Sequence, residues 1–208
     1  MQVSDVAIVA HDAGGAEILS SWVIRNNLKC LFVVDGPAVK IFERKLGECR
    51  SIQLDEAIRS AEWVLCGSGW GSSLEKEAIV LSKAAGKKVV TYLDHWANYK
   101  DRFLVHDRYI FPDEIWVGDN YAHQIALKEF PNVPVRLNEN PYLLDLVEQI
   151  NQFHKSNSEK GEECDILYLS EPIKEHLLRS YGNENLWGYS EDDAIRYFLR
   201  HVSVLGIE

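Results

Sequence analysis

Strands that alternate with helices along most of the chain predict an α/β protein. The expected architecture is a doubly wound, Rossmann-like parallel sheet of about seven strands, followed by an incomplete second α/β unit. Three observations carry that expectation. Short apolar runs without polar alternation, such as Val6-Ala7-Ile8-Val9-Ala10 and Trp63-Val64-Leu65-Cys66, suit strands buried on both faces. Segments of helical period follow those runs. The intervening loops are rich in glycine, serine and ionisable residues, and they fall at the carboxyl ends of the strands, where open parallel sheets place their ligand crevice.

After the first strand comes His11-Asp12-Ala13-Gly14-Gly15-Ala16-Glu17, then a helix from about Ala16 to Asn26. The loop lacks the Gly-x-Gly-x-x-Gly spacing of a dinucleotide site. His11 and Asp12 stand at the crevice end, where an imidazole oriented by a carboxylate can act as a general base toward a hydroxyl. The alternative is a histidine that hydrogen-bonds the turn. Cys30 to Val34 is a second strand and Ala38 to Leu46 its helix. Ser51 to Leu54 reads as a short third strand at an edge, and Asp55 to Ser60 as one or two helical turns.

The densest stretch runs from Glu62 to Phe103. Trp63 to Cys66 is a strand that stops at Gly67-Ser68-Gly69-Trp70-Gly71-Ser72-Ser73, a loop whose glycines let a ligand approach the backbone and whose serines supply hydroxyls. Ser72 and Glu75 have capping-box spacing, and Leu74, Ala78, Leu81 and Ala85 form a helical stripe that ends at Gly86. The helix therefore starts at the loop, and its N-terminal amides favour a phosphate or carboxylate there. Glu77 lies about 60° from the stripe, as either a surface residue or a site residue. Lys88 to Leu93 is the next strand, and Asp94-His95-Trp96-Ala97-Asn98-Tyr99-Lys100-Asp101-Arg102-Phe103 follows it on the same rim.

Glu114 to Val117 is a strand, Gly118-Asp119-Asn120 caps a helix to Phe130, and Val133 to Leu137 is a last strand whose Pro134 suits an edge. A helix from Tyr142 to about Phe153 closes the first domain, residues 1–154. Residues 155–163 read as a polar linker. Residues 164–208 begin a second α/β domain or a docking segment. Within them Asp165 to Ser170 reads as a buried strand, Glu171-Pro172 opens a helix, and Ser190 and Asp193 cap another with the stripe Ala194, Ile195, Phe198, Val202 and Leu205.

Composition bounds the partners. The chain has 208 residues, 46% of them apolar, enough for a sizeable core. A net charge of −10 without a basic patch argues against nucleic acid. The four cysteines, 30, 49, 66 and 164, form no Cys-x-x-Cys pair and read as reduced core thiols. The start lacks a basic n-region and no run reaches the length of a membrane span, so the expected location is cytoplasmic, with a peripheral membrane contact left open. His95, Asp101, His106 and Asp107 fit no ligand spacing, so no metal and no cofactor is expected.

His11 to Glu17 (HDAGGAE), Gly67 to Ile79 (GSGWGSSLEKEAI), Ala84 to Phe103, Pro112 to Asp119 (PDEIWVGD) and Glu139 to Leu144 (ENPYLL) together resemble the amino-terminal half of GT-B-fold glycosyltransferases. The likeness is to bacterial enzymes of surface-polysaccharide assembly and to their relatives, lipid A disaccharide synthase and UDP-GlcNAc 2-epimerase. It covers residues 1–154, and Ile166 to Pro172 (ILYLSEP) looks like the opening strand of a carboxyl-terminal domain. The resemblance implies transfer of a sugar from a nucleotide sugar to a saccharide or lipid-linked acceptor, without a bound metal. His11 or Asp12 would be the base, and Glu77 and Asp94 further catalytic candidates. Gly14, Gly15, Gly67, Ser68, Gly69, Ser72 and Ser73 would line the cleft, and Asp94, His95 and Arg102 would hold acceptor or diphosphate. The donor would lie mainly in a carboxyl-terminal half that is missing or supplied separately. Two other classes fit the same residues: a noncatalytic sugar- or nucleotide-binding or assembly module presenting Trp70, Trp96 and Trp187, and a nucleotide-sugar 2-epimerase or hydrolase.

Overall fold

The computed structural model describes residues 4–70, 72–156 and 166–205. Gly71, residues 157–163 of the expected linker, Cys164 and Asp165 lie outside the described residues. The chain divides into two compact units, Met1–Ser156 and Asn157–Glu208.

The first unit runs β1 (Ser4–Ala10), α1 (Ala13–Asn26), β2 (Cys30–Val34), α2 (Pro37–Leu46), α3 (Leu54–Ser60), β3 (Ala61–Cys66), α4 (Leu74–Ala84) and β4 (Lys88–Leu93). A 3-10 turn (Asp101–Phe103), β5 (Leu104–Val105), β6 (Arg108–Tyr109), β7 (Glu114–Val117), α5 (Asn120–Glu129), β8 (Val135–Leu137) and α6 (Pro141–Ser156) complete it. Six strands form a parallel sheet in the order β2-β1-β3-β4-β7-β8, the Rossmann-like arrangement expected. The chain steps from β1 to β2 on one side, then crosses back to β3 on the other. The order therefore reverses between β1 and β3, and a crevice opens at their carboxyl ends.

The seventh expected strand is reduced to one parallel bridge, Phe32 to Ser51, beyond β2. The Ser51 hydroxyl explains why pairing stops there: it accepts from the Val34 amide at 3.0 Å and donates to the Val34 carbonyl at 3.1 Å, taking over the next rung of the ladder. The small antiparallel pair β5–β6 was not expected from the sequence. Its turn places His106 and Asp107 at φ 45° and 62°, as a tight two-residue hairpin requires.

Alternation within the strands fills both faces of the sheet. Ala7, Val9, Val64, Cys66, Ile115 and Val117 pack toward α3, α4 and α5, whereas Val6, Ile8, Leu65, Tyr92 and Trp116 pack toward α1 and α2. On the second face Trp22, Trp63 and Trp116 meet with ring centroids 5.8 to 6.0 Å apart. Burial on both sides explains why these strands read as unbroken apolar runs.

In the second unit the described elements are α7 (Ile173–Tyr181), α8 (Glu191–His201) and a 3-10 turn (Val202–Leu205). Residues 166–170, expected as a buried strand, form none, and Leu167 and Leu169 are 79% and 81% exposed. A strand needs a neighbouring edge, and no strand is present among the described residues of this unit. Instead Leu177 is fully buried, and Tyr168 packs on Phe198 with centroids 4.8 Å apart. Ser190 and Asp193 form the capping box read from the sequence, with the Ser190 amide donating to Asp193 Oδ2 at 3.0 Å and the Asp193 amide to Ser190 Oγ at 3.3 Å. Ser190→Ala is expected to remove about 1 kcal/mol from this helix start. Amide hydrogen exchange at Asp193 and Ala194 should quicken about fivefold in consequence; unchanged exchange would show that the box carries no stability.

Candidate functional site

The three loops singled out in the sequence meet on one rim of the sheet. His11 and Asp12 leave β1, Gly67–Trp70 leaves β3, and Asp94 leaves β4, three adjacent strands. The Gly67 amide donates to the Val9 carbonyl at 3.0 Å, so the ladder persists to the start of the crevice. Beyond that point side chains take over.

Asp12 is the hub of the first contact. It is the N-cap residue of α1, yet its carboxylate makes no cap. Oδ1 lies 2.8 Å from His11 Nδ1, and Oδ2 accepts from the Trp70 amide at 2.6 Å. Gly69 makes this approach feasible: a side-chain carbon there would lie 2.6 Å from the Asp12 carboxyl carbon. With Nδ1 donating to Asp12, Nε2 is the free-lone-pair nitrogen, and it faces the Gly36 turn.

Asp94 is the hub of the second. Its Oδ1 accepts from Ser68 Oγ at 2.9 Å and lies 3.3 Å from an Arg102 terminal nitrogen. Its Oδ2 sits against the first turn of α1, 2.4 Å from where a Gly14 side chain would begin. The positive end of α1 thus receives the protein's own carboxylate. Arg102 is 7% exposed. It donates to the Ser68 carbonyl at 2.5 Å and to the Ala97 carbonyl at 3.4 Å, and its guanidinium lies 5.6 Å from the Trp70 ring centre. These contacts make it a clamp between two loops.

Glu75 joins the same cluster from α4, although the sequence reading gave it only a capping role. Its Oε1 accepts from the His11 amide at 2.8 Å, and the residue is 3% exposed. Its Oε2 is buried and has no hydrogen-bond partner among the described residues. Burial pushes this carboxyl above its ordinary value, against the opposing pull of the amide bonds it accepts. The signal was present: Glu75, Ala78, Ile79 and Ser82 are the buried positions of α4, an i, i+3, i+4, i+7 stripe one residue out of phase with the one expected. The capping box of Ser72 and Glu75 does not form. Ser73 is the N-cap, and Ser72 Oγ accepts from the Leu74 amide at 3.1 Å.

The rim therefore gathers His11, Asp12, Gly14, Gly15, Gly67, Ser68, Gly69, Asp94 and Arg102, with Gly15 backing onto Gly67. Glu77 is not brought there. It is exposed, bonded to Ser73, and lines an open groove between α4 and β5–β6 with Lys76 and Arg108. His95 is exposed on the β4 loop, its Nδ1 accepting from the Trp96 amide at 3.1 Å.

Beside Asp94 lies a cavity of about 130 Å³ at the ends of β4 and β7, lined in part by Tyr92, Trp96, Asp119, Asn140 and Leu143. Among the described residues no group of three or more His, Cys, Asp or Glu is placed to hold a metal ion, and no helix is long and apolar enough to cross a membrane. The charge of the rim is carried by Asp12 and Asp94, which face one arginine and one histidine, while burial disfavours the charged form of Glu75. The polar cradle of glycines and serines, expected to favour a phosphate or carboxylate, is bordered by the carboxylates of Asp12 and Asp94, which repel phosphate and accept from hydroxyl groups.

Fold and rim define a Rossmann-like α/β domain with an acid-lined crevice at its switch point. The chain matches no protein-family model and no curated protein sequence.

Proposed function

We propose that the first unit is the acceptor-side domain of a GT-B-type glycosyltransferase acting in the cytoplasm on saccharide or lipid-linked acceptors of cell-surface polysaccharide synthesis. The observation that carries the reading is the His11–Asp12 pair at the switch-point crevice, with Asp12 holding Nδ1 and leaving Nε2 as the base. In this mechanism Nε2 takes the acceptor hydroxyl proton as its oxygen attacks the anomeric carbon. The bond from that carbon to the nucleoside diphosphate breaks, and the diphosphate leaves with the electron pair. Asp12 then faces the imidazolium and balances its charge. Asp94 supplies an acceptor for another sugar hydroxyl, with Ser68 and Arg102 holding its carboxylate in place. The carboxylates favour this division of labour, with the neutral acceptor at this rim and the anionic donor bound by a carboxyl-terminal domain.

The test is release of nucleoside diphosphate from a panel of nucleotide sugars, with and without saccharide acceptors. Acceptor-dependent release that His11→Ala abolishes is the expected result. Release without any acceptor would overturn the transferase in favour of a hydrolase or 2-epimerase, and binding without release would make the protein a noncatalytic module.

A further inference from the structure

Trp96 is 56% exposed on the loop after β4, yet its indole is held in place. Its Nε1 donates to Asp119 Oδ2 at 2.8 Å, while Asp119 Oδ1 caps α5 by accepting from the Ala122 amide at 2.7 Å. One carboxylate thus ties the ring to a helix N-terminus. The ring stands at the cavity beside Asp94, and the facing wall is built with the same rigidity. Asn140 Oδ1 accepts from the Tyr142 amide at 3.0 Å at the start of α6, and the Tyr92 hydroxyl donates to the Asn138 carbonyl at 2.8 Å. Leu143, 54% exposed, adds an apolar edge.

A fixed aromatic face beside carboxylate and amide groups matches the chemistry of a pyranose ring, which has an apolar C–H face and a girdle of hydroxyls. At about 130 Å³ the cavity is far smaller than sites that enclose a whole drug-sized ligand, so it accepts one ring while the rest of the molecule stays outside. Asp94 and Asp119 on its wall disfavour a phosphate-bearing ligand. Asp94 lines this cavity and also meets Ser68 and the first turn of α1, so the cavity opens on the same rim as the His11 crevice.

We propose that Trp96, pinned by Asp119, is the stacking platform for one neutral pyranose ring of the acceptor saccharide. This rests on the acceptor-side reading above and names its ligand class. The structure fixes the ring before binding, so little ordering cost is left for the ligand to meet.

Saturation-transfer NMR and indole fluorescence on the full chain, with glucose, galactose, N-acetylglucosamine, cellobiose and chitobiose, test the site without requiring turnover. At least one of these sugars is expected to bind saturably, with Trp96→Ala weakening it about tenfold and Trp96→Phe, which keeps a ring, about threefold or less. Asp119→Ser keeps the helix cap but is too short to reach the indole, and should weaken binding about threefold to fivefold with unchanged circular dichroism. Equal affinity in the wild type and Trp96→Ala overturns the proposal, as does binding of uridine with none of the sugars. The two readings separate cleanly. Trp96-dependent sugar binding without nucleoside diphosphate release would sink the transferase and leave the saccharide site standing, whereas His11-dependent release indifferent to Trp96 would do the reverse.

Discussion

Asp12→Asn is expected to lower nucleoside diphosphate release by about 10²- to 10⁴-fold, the range of a lost general base, while leaving the secondary structure and sugar binding at the Trp96 cavity near wild type. The reason lies in two contacts of one carboxylate, those with His11 and the Trp70 amide. Oδ1 meets His11 Nδ1 and Oδ2 accepts from the Trp70 amide, which can only donate. An asparagine has one oxygen and one NH₂ group, so it can serve only one of them correctly. If its oxygen stays on Trp70, its NH₂ meets Nδ1, which must then accept; the ring proton moves to Nε2 and the base is lost. If its oxygen turns to His11, two donors face each other at Trp70 and the loop after β3 is displaced. Either arrangement removes the negative charge that stabilises the imidazolium. Steady-state kinetics with sugar binding followed in parallel gives the answer. A loss of less than tenfold would show that His11 does not take the proton.

The rim could be anticipated because its logic is topological. Apolar runs at β1, β3 and β4 read as parallel strands buried on both faces, and parallel strands in adjacent positions deliver their following loops to the same edge. His11, Asp12, Ser68 and Asp94 followed from that alone. What escaped was anything set by rotation or by partner choice. Glu75 rather than Glu77 turns inward because α4 starts at Leu74 and buries the phase that includes Ala78, Ile79 and Ser82, leaving Leu81 37% exposed. A one-residue shift of a short helix rotates every side chain by about 100°, and capping-box spacing pulled the reading toward the wrong phase.

Partner choice explains a second gap. The sequence points to an anion at the N-terminus of α4; in the structure a carboxylate approaches the first turn of α1 instead, that of Asp94, held by Ser68 and Arg102. Arg102, read from the sequence as a ligand-binding cation, is occupied as that carboxylate's counter-charge. Residues 166–170 fail for a third reason. A short continuous apolar run, Ile166-Leu167-Tyr168-Leu169, satisfies the pattern of a buried strand, but pairing is a property of the neighbour, and none of the described residues around it supplies an edge.

Glu75→Gln is expected to stabilise the first unit at neutral pH, by about 1–3 kcal/mol, the range for desolvating a poorly satisfied polar group. The sign follows from the direction of the shift. Burial raises the Glu75 carboxyl above its ordinary value of 4.5, so the native state holds a proton that the unfolded chain has released. Stability that is full below 4.5 is therefore lost as the pH rises through the raised value, and keeping Glu75 ionised costs the native state above it. Glutamine does not titrate, and its oxygen can still accept from the His11 amide. The advantage of Glu75→Gln should be smallest in acid and grow with pH across that window, as read by urea unfolding of both proteins over a pH series. Glu75→Leu fills similar space but leaves the His11 amide without its acceptor, and should destabilise at every pH. A wild-type-to-glutamine difference that is flat in pH would mean that Glu75 is not held in its uncharged form. A growing difference would show that the loop carrying His11 is anchored by a carboxyl whose charge the core disfavours. That is a cost on stability which a helix chosen for packing alone would not carry.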